Sequence, residues 1–228
     1  MYLSGIDLEG SKKERFNEIK IRLSELSTKF SNNILDCVKE YKLVINSDNE
    51  FMKKMPMFTL ELYSQKAKEK YPESTPENGP WLVTLDAPSY IPFMKNYPNS
   101  ELYMAYSTKA SFGDKNNLPL IKEILELKKE LASLLSFDNY VELSLERKMA
   151  ANQKEIEDLL NNLAEKSLVR ATGEIEEIKN YQKLKEGDKN VELKAWDVPY
   201  YSEKIKQEKL GIKEEELKPY FSLDKVLE

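Results

Sequence analysis

The sequence contains no histidine among its 228 residues. Imidazole is the general base of Ser-His-Asp and Cys-His catalysis, the commonest protein ligand for metals, and the one side chain whose ordinary pKa lies near neutrality. Its absence excludes most familiar hydrolytic sites and histidine-ligated zinc from this chain.

Cysteine, glycine and arginine are also scarce. One cysteine, Cys37, excludes an internal disulfide and fits a reducing compartment. The seven glycines are scattered singly and form no phosphate-binding loop motif. With four arginines and a net charge of -5, we expect no nucleic-acid partner. The first residues lack a basic segment and an apolar run, so we expect no signal peptide, no membrane partner and a cytoplasmic location.

Apolar residues recur every three or four positions along most of the chain, which predicts helices. One long helix is expected from Ser11 to about Ile45. A second runs from Asn152 to Gly187, and its predicted buried face comprises Ile156, Leu159, Leu160, Leu163, Ala171, Ile175, Ile178 and Tyr181. Shorter helices are predicted at Pro56–Tyr71, through Phe93 and Met94, at Glu101–Ser111, Pro119–Leu135, Val141–Met149 and Val198–Leu210.

These elements predict an all-α fold in which long antiparallel helices pack as a multi-helix bundle. At most one short strand is expected, near Trp81–Leu85, where β-branched and aromatic residues cluster. We expect one helical domain over residues 1–228, with a candidate sub-boundary near 72–85. A further helical turn at Lys213–Leu217 and a helix start at Ser222–Glu228 suggest that the chain ends within an element.

No residue pattern in the chain predicts a catalytic, cofactor-binding or metal-ligating residue. The acidic runs Glu174–Glu177 and Glu214–Glu216 place neighbouring carboxylates in different directions on a helix, which favours a solvated face over a metal site. Cys37 lies on the apolar seam of the first helix and is interpreted as a core residue. Asp197 is predicted to cap the helix that starts at Val198, beside the apolar Trp196.

Aromatic residues are the most distinctive local feature. They are Trp81, Tyr90, Tyr103, Tyr106, Trp196 and the run Pro199-Tyr200-Tyr201. Such residues either wedge helices together or line a peptide groove in which tyrosine hydroxyls donate to substrate carbonyls. Packing between helices is the favoured interpretation of these residues, and the peptide groove remains the alternative.

Seven segments occur in an order that resembles the thimet oligopeptidase/oligopeptidase A family of zinc metallopeptidases. They are Leu23–Leu26, Phe30–Leu35, Leu85–Tyr90, Ala105–Ser111, Lys148–Ala150, Trp196–Lys204 and Pro219–Phe221. The resemblance covers nearly the whole chain. The chain departs from the family pattern at three places: Lys109 stands where the family usually has Arg, Ser136 replaces the Gly of a Leu-Gly-Phe turn, and the segment before Tyr103 is a few residues short.

The resemblance implies a helical ellipsoid divided by a deep channel, in which zinc and an H-E-x-x-H helix cleave short peptides. That motif would lie downstream of residue 228, so no catalytic residue carries over and zinc is expected only in the full-length parent. We therefore expect a non-catalytic helical portion of an oligopeptidase, forming part of the channel wall and inactive alone. Its expected partners are short peptides and the missing catalytic half. The alternative is a stand-alone helical module that binds a peptide or protein without catalysis.

Overall fold

The computed structural model of the chain describes residues 2–211 and 218–221. Within them the helices and strands, in chain order, are α1 (Gly10–Glu40), β1 (Leu43–Ile45), α2 (Met57–Ala67), β2 (Trp81–Val83), α3 (Ala87–Asn96), α4 (Ser100–Ser107), α5 (Leu118–Leu134), α6 (Tyr140–Leu145), α7 (Gln153–Glu186) and α8 (Val198–Leu210). Short 3-10 turns lie at Tyr2–Ser4, Met52–Lys54, Gly113–Lys115 and Lys218–Phe221. The elements expected at Lys213–Leu217 and Ser222–Glu228 lie outside the described residues.

The all-α prediction is confirmed, but the expectation of at most one strand needs correction. Helix α1 ends at Glu40, and Leu43–Ile45, which was expected to continue it, forms β1. This strand pairs antiparallel with β2, with Leu43 opposite Val83 and Ile45 opposite Trp81. The local sequence of the apolar run at 43–45 is compatible with a helix or a strand. The long-range pairing with β2 makes it a strand.

Three shorter helices end before their predicted limits. Helix α2 stops at Ala67 rather than Tyr71, α4 at Ser107 rather than Ser111, and α6 at Leu145 rather than Met149. Beyond α4, Ala110 adopts a positive φ of 56° and its carbonyl accepts from the backbone N–H of Asn117. That conformation is incompatible with a continuing right-handed helix.

Contacts between Cα atoms divide the chain into two compact units. Unit 1 contains the residues up to Cys37 together with Thr108–Arg170, and unit 2 contains Val38–Ser107 together with the described residues from Ala171 onward. Residues 72–85 lie within unit 2. The expectation of one helical domain with a sub-boundary at 72–85 stays a prediction.

Unit 1 is organised by the antiparallel packing of α1 against α5. Arg15 forms a bidentate pair with Glu130, its Nε lying 2.6 Å from Oε1, and Arg22 pairs in the same way with Glu123. Sequence numbers rise along α1 as they fall along α5, which establishes the antiparallel direction. The hydrogen bonds from the two guanidinium groups hold the pKa values of Glu123 and Glu130 below their usual range.

The apolar faces of these helices form the core of unit 1. Its buried residues are Phe16, Ile19, Leu26, Leu120, Leu127, Leu131 and Leu135. Asn117, only 3% exposed, closes one end of this core: its amide donates to the Phe30 carbonyl and its carbonyl accepts from Asn33 at 2.8 Å. From α1, Phe16, Ile19 and Leu26 are buried in this core, as the apolar period of the first helix predicts.

The C-terminus of α5 ends in a Schellman motif built on Ser136. The Phe137 N–H donates to the Ala132 carbonyl at 2.9 Å, and the Ser136 N–H donates to Ser133 at 3.1 Å. Ser136 adopts a φ of +61°, the left-handed conformation usually given to glycine at this position. Serine here occupies the position that the family resemblance gives to glycine.

Unit 2 is built around β2, all three residues of which are buried. Trp81 and Val83 belong to a core that also contains Tyr63 of α2, Phe93 of α3 and Leu102 of α4. Trp81 is 1% exposed, and its indole N–H donates to the carbonyl of Pro76 at 3.1 Å. The packing interpretation of Trp81 is therefore the correct one.

The loop before β2 is shaped to admit this indole. Gly79 has a φ of +61°, and a Cβ built on it would lie 2.9 Å from Cε3 of Trp81. The loop is closed by reciprocal backbone hydrogen bonds between Thr75 and Gly79, and the Ser74 hydroxyl donates to the Pro80 carbonyl at 2.7 Å. Only glycine satisfies both the conformation and the close approach at residue 79.

The predicted buried face of α7 is largely wrong. Ile178 is buried, but the side chains nearer the N-terminus of the helix lie in solvent: Leu159 is 59% exposed, Leu160 58% and Leu163 53%. Ala171 and Ile175 are also exposed. The periodicity of the helix identified an apolar face correctly, but nothing in the described residues covers most of it.

Among residues 2–211 and 218–221, no helix combines the length and apolar character needed to cross a membrane.

We expect Gly79→Ala to destabilise the protein more than Gly187→Ala does. Both glycines have a positive φ, +61° and +71°, but a Cβ at Gly187 meets nothing within 4 Å. The left-handed conformation should cost about 1 kcal/mol at either position. Displacing Trp81 should cost Gly79→Ala a further ~1–3 kcal/mol. Urea unfolding measures the difference, and equal losses for the two variants would show that Trp81 adapts freely.

We expect Ser136→Gly to stabilise the protein by about 0.5–1 kcal/mol, because glycine adopts the left-handed conformation without steric cost. Ser133→Gly is the matched control: Ser133 lies in the last turn of α5, where glycine should cost about 0.5 kcal/mol. Opposite shifts in the urea midpoint are predicted. A destabilised Ser136→Gly variant would contradict the account of this turn.

Candidate functional site

The junction between β2 and α3 positions one wall of a cleft in unit 2. The Ser89 hydroxyl, fully buried, accepts from the Thr84 N–H at 3.0 Å, and the Ser89 carbonyl accepts from the Tyr63 hydroxyl at 2.7 Å. The Asp86 carboxylate accepts from Lys66 at 2.6 Å and from the Thr84 hydroxyl. These bonds tie the first turn of α3 to β2 and α2.

The electrostatics of Asp86 support that structural role. Burial by itself raises the pKa of its carboxyl, but the hydrogen bonds from Lys66 and Thr84 outweigh burial and hold the pKa below the usual value. Asp86 therefore stays ionised near neutrality and acts as an anchor rather than as a proton donor.

The other wall is α8, whose start differs from the prediction in one respect. Asp197 occupies the N-cap position, but its carboxylate accepts from the Lys194 N–H at 2.9 Å and makes no bond to the first turn of α8. Its backbone is helical, with φ -82° and ψ -27°, which turns the side chain back onto the preceding loop. Trp196 packs edge-on against Tyr103, with ring centroids 6.1 Å apart.

Helices α3 and α8 enclose a cleft of about 370 Å³, called the α3/α8 cleft below. From α3 it is lined by Tyr90, Ile91, Met94 and Lys95. From α8 it is lined by Pro199, Ser202, Glu203 and Lys206. Each set forms one face of its helix, because Met94 and Lys95 lie four residues after Tyr90 and Ile91, and Ser202 and Lys206 lie three residues after Pro199 and Glu203.

The cleft is mainly apolar, but one carboxylate is buried in it. The Glu203 side chain is 9% exposed, and its Oε2 lies 3.8 Å from Nζ of Lys95 and 4.0 Å from Nζ of Lys206. Its Oε1 accepts from the Gln207 amide at 3.2 Å. Two cations thus meet at one oxygen without reaching hydrogen-bonding distance.

A second, more polar cleft of about 350 Å³ lies between α7 and α8. Tyr181 and Lys185 both donate to Glu208 at 2.7 Å, and Tyr201 donates to Glu186. Burial and the bond to Glu186 raise the pKa of the Tyr201 hydroxyl, and the bonds from Lys185 and Tyr181 lower the pKa of Glu208. Each of these groups is partnered within the protein, so the cleft is a helix-packing interface.

The structure separates the predicted aromatic residues into four sets, one of which is Tyr200 and Tyr201, beside the cleft between α7 and α8. Trp81 is core, Trp196 and Tyr103 form an edge-on pair, and Tyr90 stacks on Tyr106 with centroids 3.9 Å apart. Of all the aromatic residues singled out, Tyr90 alone, with the neighbouring Pro199, lines the α3/α8 cleft. Sequence reasoning missed Ile91, Met94, Lys95, Ser202, Glu203 and Lys206.

No missed residue carried a local signal of its role. Glu203 is one of 40 acidic residues, and only its burial between two lysines distinguishes it. The amphipathic spacing of α3 could have pointed to its lining face. Its partner helix follows about a hundred residues later, which local pattern cannot show.

The residues do not fit a metal site. Across the described parts of the chain, no group of three or more Cys, Asp or Glu side chains is placed to hold an ion. Of the acidic run in α7, Glu176 and Glu177 are exposed and pair with Lys179 and Lys209. Glu214–Glu216 lie outside the described residues. Cys37 is a free, half-buried thiol.

The chain matches the family model of peptidase family M3 over residues 99–228. It is 42% identical, over 99% of its length, to the probable cytosolic oligopeptidase A of Arabidopsis thaliana, and covers 33% of that protein. It is 38% identical to oligopeptidase A of Escherichia coli K12 and 27% identical to saccharolysin of Saccharomyces cerevisiae, covering 33% and 30% of those proteins.

The chain thus spans about a third of the length of these curated relatives. The family model matches more than half of the chain, and the identity extends from one end of it to the other. Because the family model matches more than half of it, the chain belongs to peptidase family M3.

Proposed function

We propose that the chain is the non-catalytic helical portion of an oligopeptidase that hydrolyses short peptides in the cytoplasm, and that it has no activity alone. The carrying observation is 42% identity over 99% of the chain to an oligopeptidase A about three times as long. That relative is named as cytosolic, which supports the location.

The residue types of the chain support a parent enzyme whose zinc site lies outside this chain. A zinc peptidase needs a set of side chains that donate lone pairs to the metal from fixed positions. It also needs a water molecule that the bound metal activates. This chain has no histidine, and its described carboxylates form no such set. The parent's zinc would therefore be held by residues outside this chain, which supplies scaffold and part of the wall of the peptide channel.

The exposed face of α7 supports a partner within the parent protein. Leu159, Leu160 and Leu163 present a stripe of large aliphatic side chains that is more than half exposed. Exposed contiguous apolar surface of this kind marks an interaction site. We propose that the missing catalytic half covers it.

The alternative, a stand-alone helical module that binds a peptide or protein without catalysis, is favoured by one observation, the α3/α8 cleft with its buried Glu203. A reading frame that continues past residue 228 in the gene and encodes an H-E-x-x-H motif would exclude this alternative. A stop codon at that point would favour it over the oligopeptidase proposal.

The purified chain is expected to leave a quenched fluorogenic peptide intact, with or without added zinc, because it lacks the residues that would hold the metal. The positive control is oligopeptidase A of E. coli assayed in parallel. Zinc-dependent hydrolysis by the chain, abolished by a chelator, would contradict the proposed inactivity.

A chimera offers the positive test. We expect activity when this chain replaces the segment of E. coli oligopeptidase A that it matches at 38% identity. In that chimera Leu160→Asp should reduce hydrolysis at least about tenfold, because it would bury an unpaired carboxylate at the interface. Asn161→Asp, one residue away on a different face of α7, adds the same charge and should have little effect.

Two results would count against the proposal. An inactive but folded chimera would contradict the role as a portion of the enzyme. Equal effects of Leu160→Asp and Asn161→Asp would contradict coverage of the α7 face.

A further inference from the structure

A pocket of about 400 Å³, called the α5/α6 pocket below, lies among the packed helices of unit 1. Its lining comes from the turn at Tyr2–Ser4, from α1, α5 and α6, and from Arg147 just after α6. The volume lies at the lower end of the range for ligand pockets, roughly 300–1,000 Å³. Every lining residue belongs to unit 1, so the packing of that unit alone shapes the pocket.

The turn at Tyr2–Ser4 is held in place as one wall of the pocket. The Tyr2 hydroxyl donates to the Leu135 carbonyl, and the Lys13 ammonium group donates to the Gly5 carbonyl at 2.6 Å. Gly5 approaches the floor closely, because a Cβ built on it would lie 3.1 Å from the Phe16 ring. Contacts within unit 1 therefore form this wall without a ligand.

The pocket has an apolar floor and a cationic rim. Phe16, Leu131 and Leu135 line it and are buried. Lys20 and Arg147 also line it, but both residues are exposed. None of the described residues in the lining is Asp or Glu. The positive charge thus lies at the solvent edge of an apolar space.

The cations at the rim have no carboxylate partner in the described part of the chain. Arg15 and Arg22 each form a bidentate pair with a glutamate of α5. Among residues 2–211 and 218–221, by contrast, neither the Lys20 ammonium group nor the Arg147 guanidinium group makes an ion pair or a hydrogen bond. Glu146, next to Arg147 in sequence, lines a separate cavity beside the start of α7. An anion at the rim would therefore meet two cations without competition from a lining carboxylate.

We propose that the α5/α6 pocket binds a small aliphatic carboxylic acid. Its hydrocarbon chain contacts Phe16, Leu131 and Leu135. Its carboxylate accepts charge-assisted hydrogen bonds from Lys20 and from Arg147, whose planar fork matches the two carboxylate oxygens. The assignment rests on the lining and charges of unit 1 and is independent of the proposed function.

A hydrocarbon chain suits the pocket better than the end of a peptide does. Each peptide residue brings an N–H and a C=O group, which need hydrogen-bond partners once they leave water. The neutral polar side chains in the lining are those of Ser4, Tyr140 and Ser144, and the Ser144 hydroxyl already accepts from Lys148 at 2.8 Å. Few groups remain for peptide amides, whereas a hydrocarbon chain needs none.

Isothermal titration calorimetry of the 228-residue chain at low salt compares octanoate with octanamide, which has the same hydrocarbon chain and no charge. Octanoate should bind about tenfold more tightly, because the amide lacks the charge that Lys20 and Arg147 recognise. Acetate should bind at least about a hundredfold more weakly than octanoate, because it buries almost no hydrocarbon.

Substitutions at the rim test the two cations. Arg147→Gln and Lys20→Gln should each weaken octanoate binding about tenfold and leave octanamide binding unchanged. Lys12→Gln is the matched control: Lys12 is exposed on the same helix as Lys20 but lies outside the lining, so neither affinity should change. All three side chains are exposed, and the variants should keep the urea midpoint of the unsubstituted chain.

Equal affinity for octanoate and octanamide would overturn the proposal, as would octanoate binding that Arg147→Gln leaves unchanged or failure of octanoate to bind at millimolar concentration. Tighter binding of acetyl-Ala-Ala-Leu than of octanoate would contradict the aliphatic acid and identify the occupant as a peptide end. The chimera tests the remaining occupant, a segment of the longer protein. It should bind octanoate as the chain does, and loss of binding there would show that such a segment fills the pocket, which would also overturn the proposal.

Discussion

The burial of Trp81 is the constraint on which unit 2 depends. Its indole requires a glycine at residue 79 and bonds the carbonyl of Pro76, and Ile45 of β1 lies opposite it in the strand pairing. Thr84, which directly follows β2, bonds Ser89 and so ties the strand to the first turn of α3. The α3 side of the α3/α8 cleft is therefore joined to the packing around Trp81.

Several charged groups in the described part of the chain pair across helices, as Arg15 does with Glu130 and Lys185 with Glu208, and exposed pairs of this kind contribute little stability. Glu203 differs because its side chain is only 9% exposed, with the ammonium groups of Lys95 and Lys206 lying 3.8 and 4.0 Å from its Oε2.

Sequence reasoning succeeded where the signal was local. The boundaries of α5, α7 and α8 fall within about a residue or two of their predicted limits, and Ser136, which the family pattern marks as a glycine position, has a positive φ. It failed where distant residues decide. Leu43–Ile45 became a strand because β2 pairs with it, Asp197 turned its carboxylate away from α8, and Leu160 lies in solvent although its periodicity matches that of a buried residue.

The sequence by itself determined the helical class, the main helices, the absence of imidazole chemistry and the family. Periodicity, composition and the order of motifs can all be read along the chain without knowing which distant residues are in contact. Only the tertiary structure decided which apolar faces are covered, which acidic residue of the described part of the chain is buried, and which residues meet at the α3/α8 cleft. Burial and pairing depend on contacts between residues as far apart as Lys95 and Glu203, and a one-dimensional pattern carries no information about such distances.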